Sequence, residues 1–144
     1  MSWLPKRKIL VPLDFDSPSA QALEAAKAMV PSPESITVLH VLPKLSSMEP
    51  GVVAGSTTDA LRTEKALAVV RKKLADEGES GVVEVLVRIG SPEKLIVAVS
   101  KEIDADLIVL TSRGHSRAHD FFLGSTVDGV LHATQRPVLV LRHQ

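Results

Sequence analysis

Residues 8–14 read KILVPLD, an apolar run of strand length closed by a carboxylate. Apolar side chains at successive positions, rather than at every second one, describe a strand buried on both faces, as in the middle of a parallel sheet. Pro12 lies near its C-terminal end, where a missing amide donor does least harm. Working outward, Ser17-Pro18 supplies a cap followed by proline at the first helical position, and Ala20 to Val30 carries a helical pattern that Pro31 and Pro33 stop. Ser35–Leu42 (SITVLHVL), Val82–Ile89 (VVEVLVRI), Asp106–Thr111 (DLIVLT) and Pro137–Leu141 (PVLVL) repeat the strand signal. Glu84 and Arg88 give the third of these five strands an edge or near-edge character. Between them, Thr58 or Asp59 caps a helix with Leu67, Val70 and Leu74 inward. Ser91-Pro92 opens another through Glu102 with Leu95, Ile96 and Val99 inward, and Ser125–His132 forms a short last one. This alternation predicts one α/β domain over residues 1–144, a doubly wound five-stranded parallel sheet with helices on both faces. In such sheets ligands bind beyond the carboxyl ends of the strands, where strand order reverses. Asp14, the long connection 43–57 and the loop after Thr111 all fall at that edge.

Composition agrees and excludes much else. The apolar residues are mostly aliphatic, with 19 Val, 18 Leu, 6 Ile and 14 Ala against three Phe, one Trp and no Tyr. Seventeen basic residues balance seventeen acidic ones, which disfavours a nucleic-acid surface, and so few aromatics leave no base-stacking platform. Lys6-Arg7-Lys8 reads as a solvated strand entrance. Without cysteine there is no disulfide, thiolate nucleophile or Cys-based metal site. Ile9–Leu13 is too short for a signal peptide or membrane span, so a cytoplasmic protein is expected.

The segment 111–126, TSRGHSRAHDFFLGST, holds the chemistry. Gly124-Ser125-Thr126 opens a helix, whose free amides and positive dipole end suit a phosphate, with Ser125 a natural N-cap. Gly114 would let backbone approach a ligand closely, and Arg113 and Arg117 could add charge-assisted bonds. Taken alone, the glycines could equally serve as turns, since neither Walker A nor GxGxxG is present. His115 and His119, four apart in a loop, have no fixed geometry for a metal, and His40 reads as a core or rim histidine.

The same segment resembles the nucleotide motif of the universal stress protein family: Gly, two residues, Gly, nine residues, then Gly with Ser or Thr. Gly114, Gly124 and Ser125 match it. KILVPLDFDSPSAQALEAA, VLHV, RIGSPEKLI and RPVLVLR are similar to other parts of the family pattern. The resemblance implies an ATP site. Pro12 and Asp14 would lie at the ribose and adenine region and Val41 at the adenine. Gly114, Gly124, Ser125 and Thr126 would hold the phosphates, beside Thr111 and Arg113. It leaves open a companion Mg2+ or Mn2+ ion. It also implies a homodimer through strand 137–141 and a regulatory stress-response module with at most slow ATP hydrolysis. The motif's first glycine is Thr111 here. If that position needs positive φ, the β-branched residue obstructs it and a nucleotide-free dimeric interaction protein is the alternative. If it only ends a strand, threonine is harmless and its hydroxyl is free to face the phosphates.

Overall fold

The computed structural model describes residues 3–13, 19–45, 48, 58–78, 83–112 and 124–142. Its elements are β1 (Ile9–Pro12), α1 (Ser19–Lys27), a 3-10 turn (Pro33–Ser35), β2 (Ile36–Leu42), α2 (Asp59–Asp76), β3 (Glu84–Ile89), α3 (Pro92–Glu102), β4 (Leu107–Ser112), α4 (Ser125–Ala133) and β5 (Val138–Arg142). The five strands form one sheet in the order β3-β2-β1-β4-β5, every pair parallel. The chain moves outward from β1 to β3, then returns across the sheet to β4 and β5. Right-handed crossovers in opposite directions put the connecting helices on opposite faces.

Two cores result. On one face Ala22, Leu23 and Ala26 of α1 and Val70 and Leu74 of α2 pack with Ile9, Val11, Val38 and Val109. On the other, Ile96, Val97 and Val99 of α3 and Val127 and Val130 of α4 pack with Leu10, Leu39, Ile108 and Leu110. Successive residues of the central strands thus enter opposite cores, which is why their sequence is continuously apolar. Each fully buried Leu, Ile or Val contributes about 1.5–3 kcal/mol of transfer free energy.

Several boundaries differ from the sequence reading. α1 ends at Lys27 rather than Val30 because the chain turns at Met29, whose carbonyl accepts from Lys6 N at 2.7 Å. β3 begins at Glu84, and β4 runs through Ser112. The cap of α2 is Thr58, whose Oγ1 accepts from Leu61 N at 3.1 Å. Lys6 is buried rather than solvated: its ammonium lies over the Trp3 ring, which covers the lysine and draws the charge to its π face. At the N-terminal edge Asp106 joins β4 to β1, accepting from the backbone N–H groups of Arg7 (2.8 Å) and Lys8 (3.0 Å). Its burial would raise the carboxyl pKa, but these donors and the nearby Arg7 charge hold it below the usual carboxylate range.

Candidate functional site

Strand order reverses between β1 and β4, and there the sheet forks. Their pairing comprises Ile9 with Leu107 and Leu10 with Ile108, although β1 continues to Pro12 and β4 to Ser112. Backbone N–H groups alternate between the two neighbouring strands, and Leu13 N donates to Leu39 O of β2 at 2.8 Å. Position 12 therefore faces β4, and the next rung would need an N–H that proline lacks. Pro12 thus ends the ladder and opens the crevice, a positive role beyond the tolerated defect read from sequence.

On the β4 side, Thr111 and Ser112 continue the strand, paired with Leu141 and Arg142 of β5. Thr111 is half-buried, and among the described residues the only positive φ outside glycine belongs to Asp104. Threonine therefore occupies ordinary extended backbone at this position. It shares the parity of Leu107 and Val109, whose side chains pack in the α1 core, so its hydroxyl stands on the face away from α4. The residue on the α4 face is Ser112, in register with Ile108 and Leu110. The sequence reading ends this strand at Thr111 and places Ser112 in the following loop; the signal for its place in the strand is the strict alternation of 107–112.

The start of α4 also differs from expectation. Its N-cap is Gly124, not Ser125, which is the first helical residue. Gly124 has φ 106° and ψ 149°, outside the range open to L side chains without strain, and a Cβ built there would meet no atom of the described residues within 4 Å. The constraint is one of backbone conformation rather than of space. Gly124 has no side chain with which to cap the helix, and the first intrahelical bond runs from Asp128 N to Gly124 O. The amides of Ser125, Thr126 and Val127 therefore present donors with no intrahelical acceptor, at the positive end of the dipole. Ser125 is exposed and Thr126 half-buried.

Across the crevice, Val41 is half-buried near the end of β2 and packs against the α3/α4 core. His40 is buried with Nδ1 3.1 Å from the Leu13 carbonyl oxygen, a core histidine as read from sequence. Arg62 of α2, which sequence reading passed over, donates through Nη2 to the Pro43 carbonyl at 2.8 Å and so holds the exit of β2. Nothing in a helix-surface pattern distinguishes this arginine from its exposed neighbours. Asp14, Arg113 and Gly114, together with Arg117, His115 and His119, lie outside the described residues. Pro12, Val41, Thr111, Gly124, Ser125 and Thr126 are all at the carboxyl edge of the sheet, where the first amides of α4 suit an anion. Among the described residues no group of three or more His, Asp or Glu could hold a metal ion.

Known proteins resemble this arrangement along its length. Universal stress protein MJ0577 of Methanocaldococcus jannaschii is 26% identical, with 96% of each chain covered. Its solved structure matches with a TM-score of 0.69 at 25% identity, covering 96% of this chain and 97% of that one. Universal stress protein YxiE of Bacillus subtilis is 30% identical over 94% of this chain and 98% of its own. A universal stress protein from Archaeoglobus fulgidus, solved in complex with dAMP, matches with a TM-score of 0.53 at 26% identity, covering 97% and 98% of the two chains. The pattern that defines the universal stress protein family extends over residues 6–142, and this chain belongs to that family.

Proposed function

We propose that this protein is a regulatory module that binds ATP across the β1/β4 crevice and responds to stress through the bound nucleotide, with at most slow hydrolysis. The observation that carries the reading is the start of α4, where a glycine at φ 106° leads into a helix whose N-cap residue offers its first amides no side-chain acceptor. That is a ready site for a phosphate. The extended backbone of Thr111 supports a retained site, because the missing first glycine is not needed there for conformation. The dAMP complex of the relative from Archaeoglobus fulgidus supports an adenine nucleotide as ligand. Val41 would pack on the purine, Pro12 and Asp14 would border the ribose, and Gly124, Ser125 and Thr126 with Arg113 and Gly114 would hold the phosphates. ATP supplies a polyanion whose charge a Mg2+ or Mn2+ ion could share.

The molecule would act as a homodimer through β5. The two sheet edges differ: β3 carries Glu84 and Arg88, paired with Lys8 and Glu102, whereas β5 has no charged side chain before Arg142. Charged edges discourage strand pairing, and the apolar edge leaves it open.

Calorimetric titration with ATP in magnesium-containing buffer tests the reading. Saturable binding by the parent, lost in Gly124→Val, is the expected result; a parent that takes up no heat beyond dilution sinks it.

A further inference from the structure

His40 is only 6% exposed, and its Nδ1 lies 3.1 Å from the carbonyl oxygen of Leu13. A carbonyl oxygen only accepts, so Nδ1 carries the proton in this contact and the imidazole is the donor. The register of β1 with β2 closes at Pro12 and Leu39, and Pro12 has no N–H to offer β4. Beyond that point Leu13 ties the exit of β1 to β2 twice. Its N–H donates to Leu39 O at 2.8 Å, and its carbonyl accepts from His40. Strand alternation separates this tie from what it holds. His40 has the parity of Ile36 and Val38, and Leu13 packs against the same α1/α2 core. Pro12 has the parity of Leu10, and Val41 packs against the α3/α4 core, so both stand on the opposite face. These two residues would border the nucleoside, and His40 fixes their separation from behind.

We infer that His40 is a positioning residue for the nucleobase: its Nδ1–H holds the Leu13 carbonyl so that Pro12 and Val41 keep the spacing that a purine nucleoside spans. The inference rests on the nucleotide reading above and adds to it the side chain that sets base selectivity. A purine buries more apolar area against Val41 than a pyrimidine does, so its affinity depends more on where that residue stands. A hydrogen bond between neutral groups changes an equilibrium by about three- to tenfold. Loss of this one falls on ATP rather than on UTP.

The experiment compares the parent, His40→Leu and His40→Asn. Affinities for ATP and UTP are read by displacement of a fluorescent ATP analogue, which covers weak ligands, and folding by circular dichroism. Asparagine carries its amide nitrogen on Cγ, as histidine carries Nδ1, whereas leucine fills the space without a donor. His40→Leu should lose about three- to tenfold in affinity for ATP and much less for UTP, and His40→Asn should recover the ATP affinity. Should His40→Leu not fold, His40→Gln replaces it, since its amide sits one carbon further out; it should bind ATP more weakly than His40→Asn, and equal affinities overturn the inference. A parent that binds ATP while His40→Leu binds it equally well also overturns it and leaves the nucleotide reading standing. So does a loss shared equally by UTP, or one that asparagine fails to recover, since a merely structural histidine would behave so. A parent that binds neither ATP nor its analogue overturns both.

Discussion

At Gly124 the demand is on one torsion angle. At φ 106° an L side chain is strained by about 1–3 kcal/mol whatever the room around it, and here there is room. Gly124→Ala, which adds one methyl group into open space, should therefore weaken ATP binding measurably in titration, with Gly124→Val weakening it more. Equal affinity for the alanine variant and the parent would show that the angle is not needed. Asp106 governs a different property. Because its folded pKa is depressed, its contribution to stability is complete above the unfolded value of about 3.9 and is lost as pH falls through the folded value. Asp106→Asn should lower stability near pH 7 by about 1–2 kcal/mol and flatten the acid limb of the stability curve, read by urea unfolding from pH 7 to pH 3. The residue types at these positions were legible in the sequence; the angle at Gly124 and the partners of Asp106 were not. Arg7 and Asp106 lie 99 positions apart, and no local pattern relates them.

Helix signals were read well where they are local. Thr58 caps α2 as a side-chain acceptor should, and Thr58→Ala should cost about 1 kcal/mol in chemical unfolding. Val70, Leu74, Ile96 and Val99 are buried as their spacing requires. The packing of α4 on α3 was invisible to such rules. Gly129 lies inside α4, where alanine would ordinarily gain about 1 kcal/mol in helix propensity. A Cβ there would sit 2.9 Å from Glu93 Cβ of α3, an atom fixed close to its backbone. Overpacking costs about 1–3 kcal/mol, so the two effects should sum to a loss of about 1 kcal/mol for Gly129→Ala. The measured melting temperature should fall by about 3 °C; a rise would show that the helices can separate freely. Ser125 looked like the cap of α4 by residue type, but the helix starts one residue earlier in effect, because Gly124 provides the turn.

For the whole molecule, the open β5 edge yields a prediction about assembly. Ile108 N donates to Pro137 O, so Leu139 shares the β4 ladder and the N–H of Val140 faces outward. Val140→Pro removes an outward donor while sparing the bonds to β4. It should shift a dimer to monomer in light scattering with little change in the far-ultraviolet spectrum; an unchanged mass would place the contact elsewhere. The same ladder logic explains what was and was not readable. The sequence by itself determined five strands, their alternation with helices and the parallel α/β class, because burial on both faces leaves continuous apolar runs and crossovers need helices between them. The spacing of Gly114, Gly124 and Ser125 also carried the resemblance to the family whose pattern spans residues 6–142. Only the tertiary structure decided that Pro12 forks β1 from β4, that Thr111 turns towards α1 and that Ser112 lies on the α4 face. These depend on which strand lies beside which and on a register counted in single residues. A one-residue shift reverses every side chain, and that registry is fixed by contacts between segments far apart in the chain.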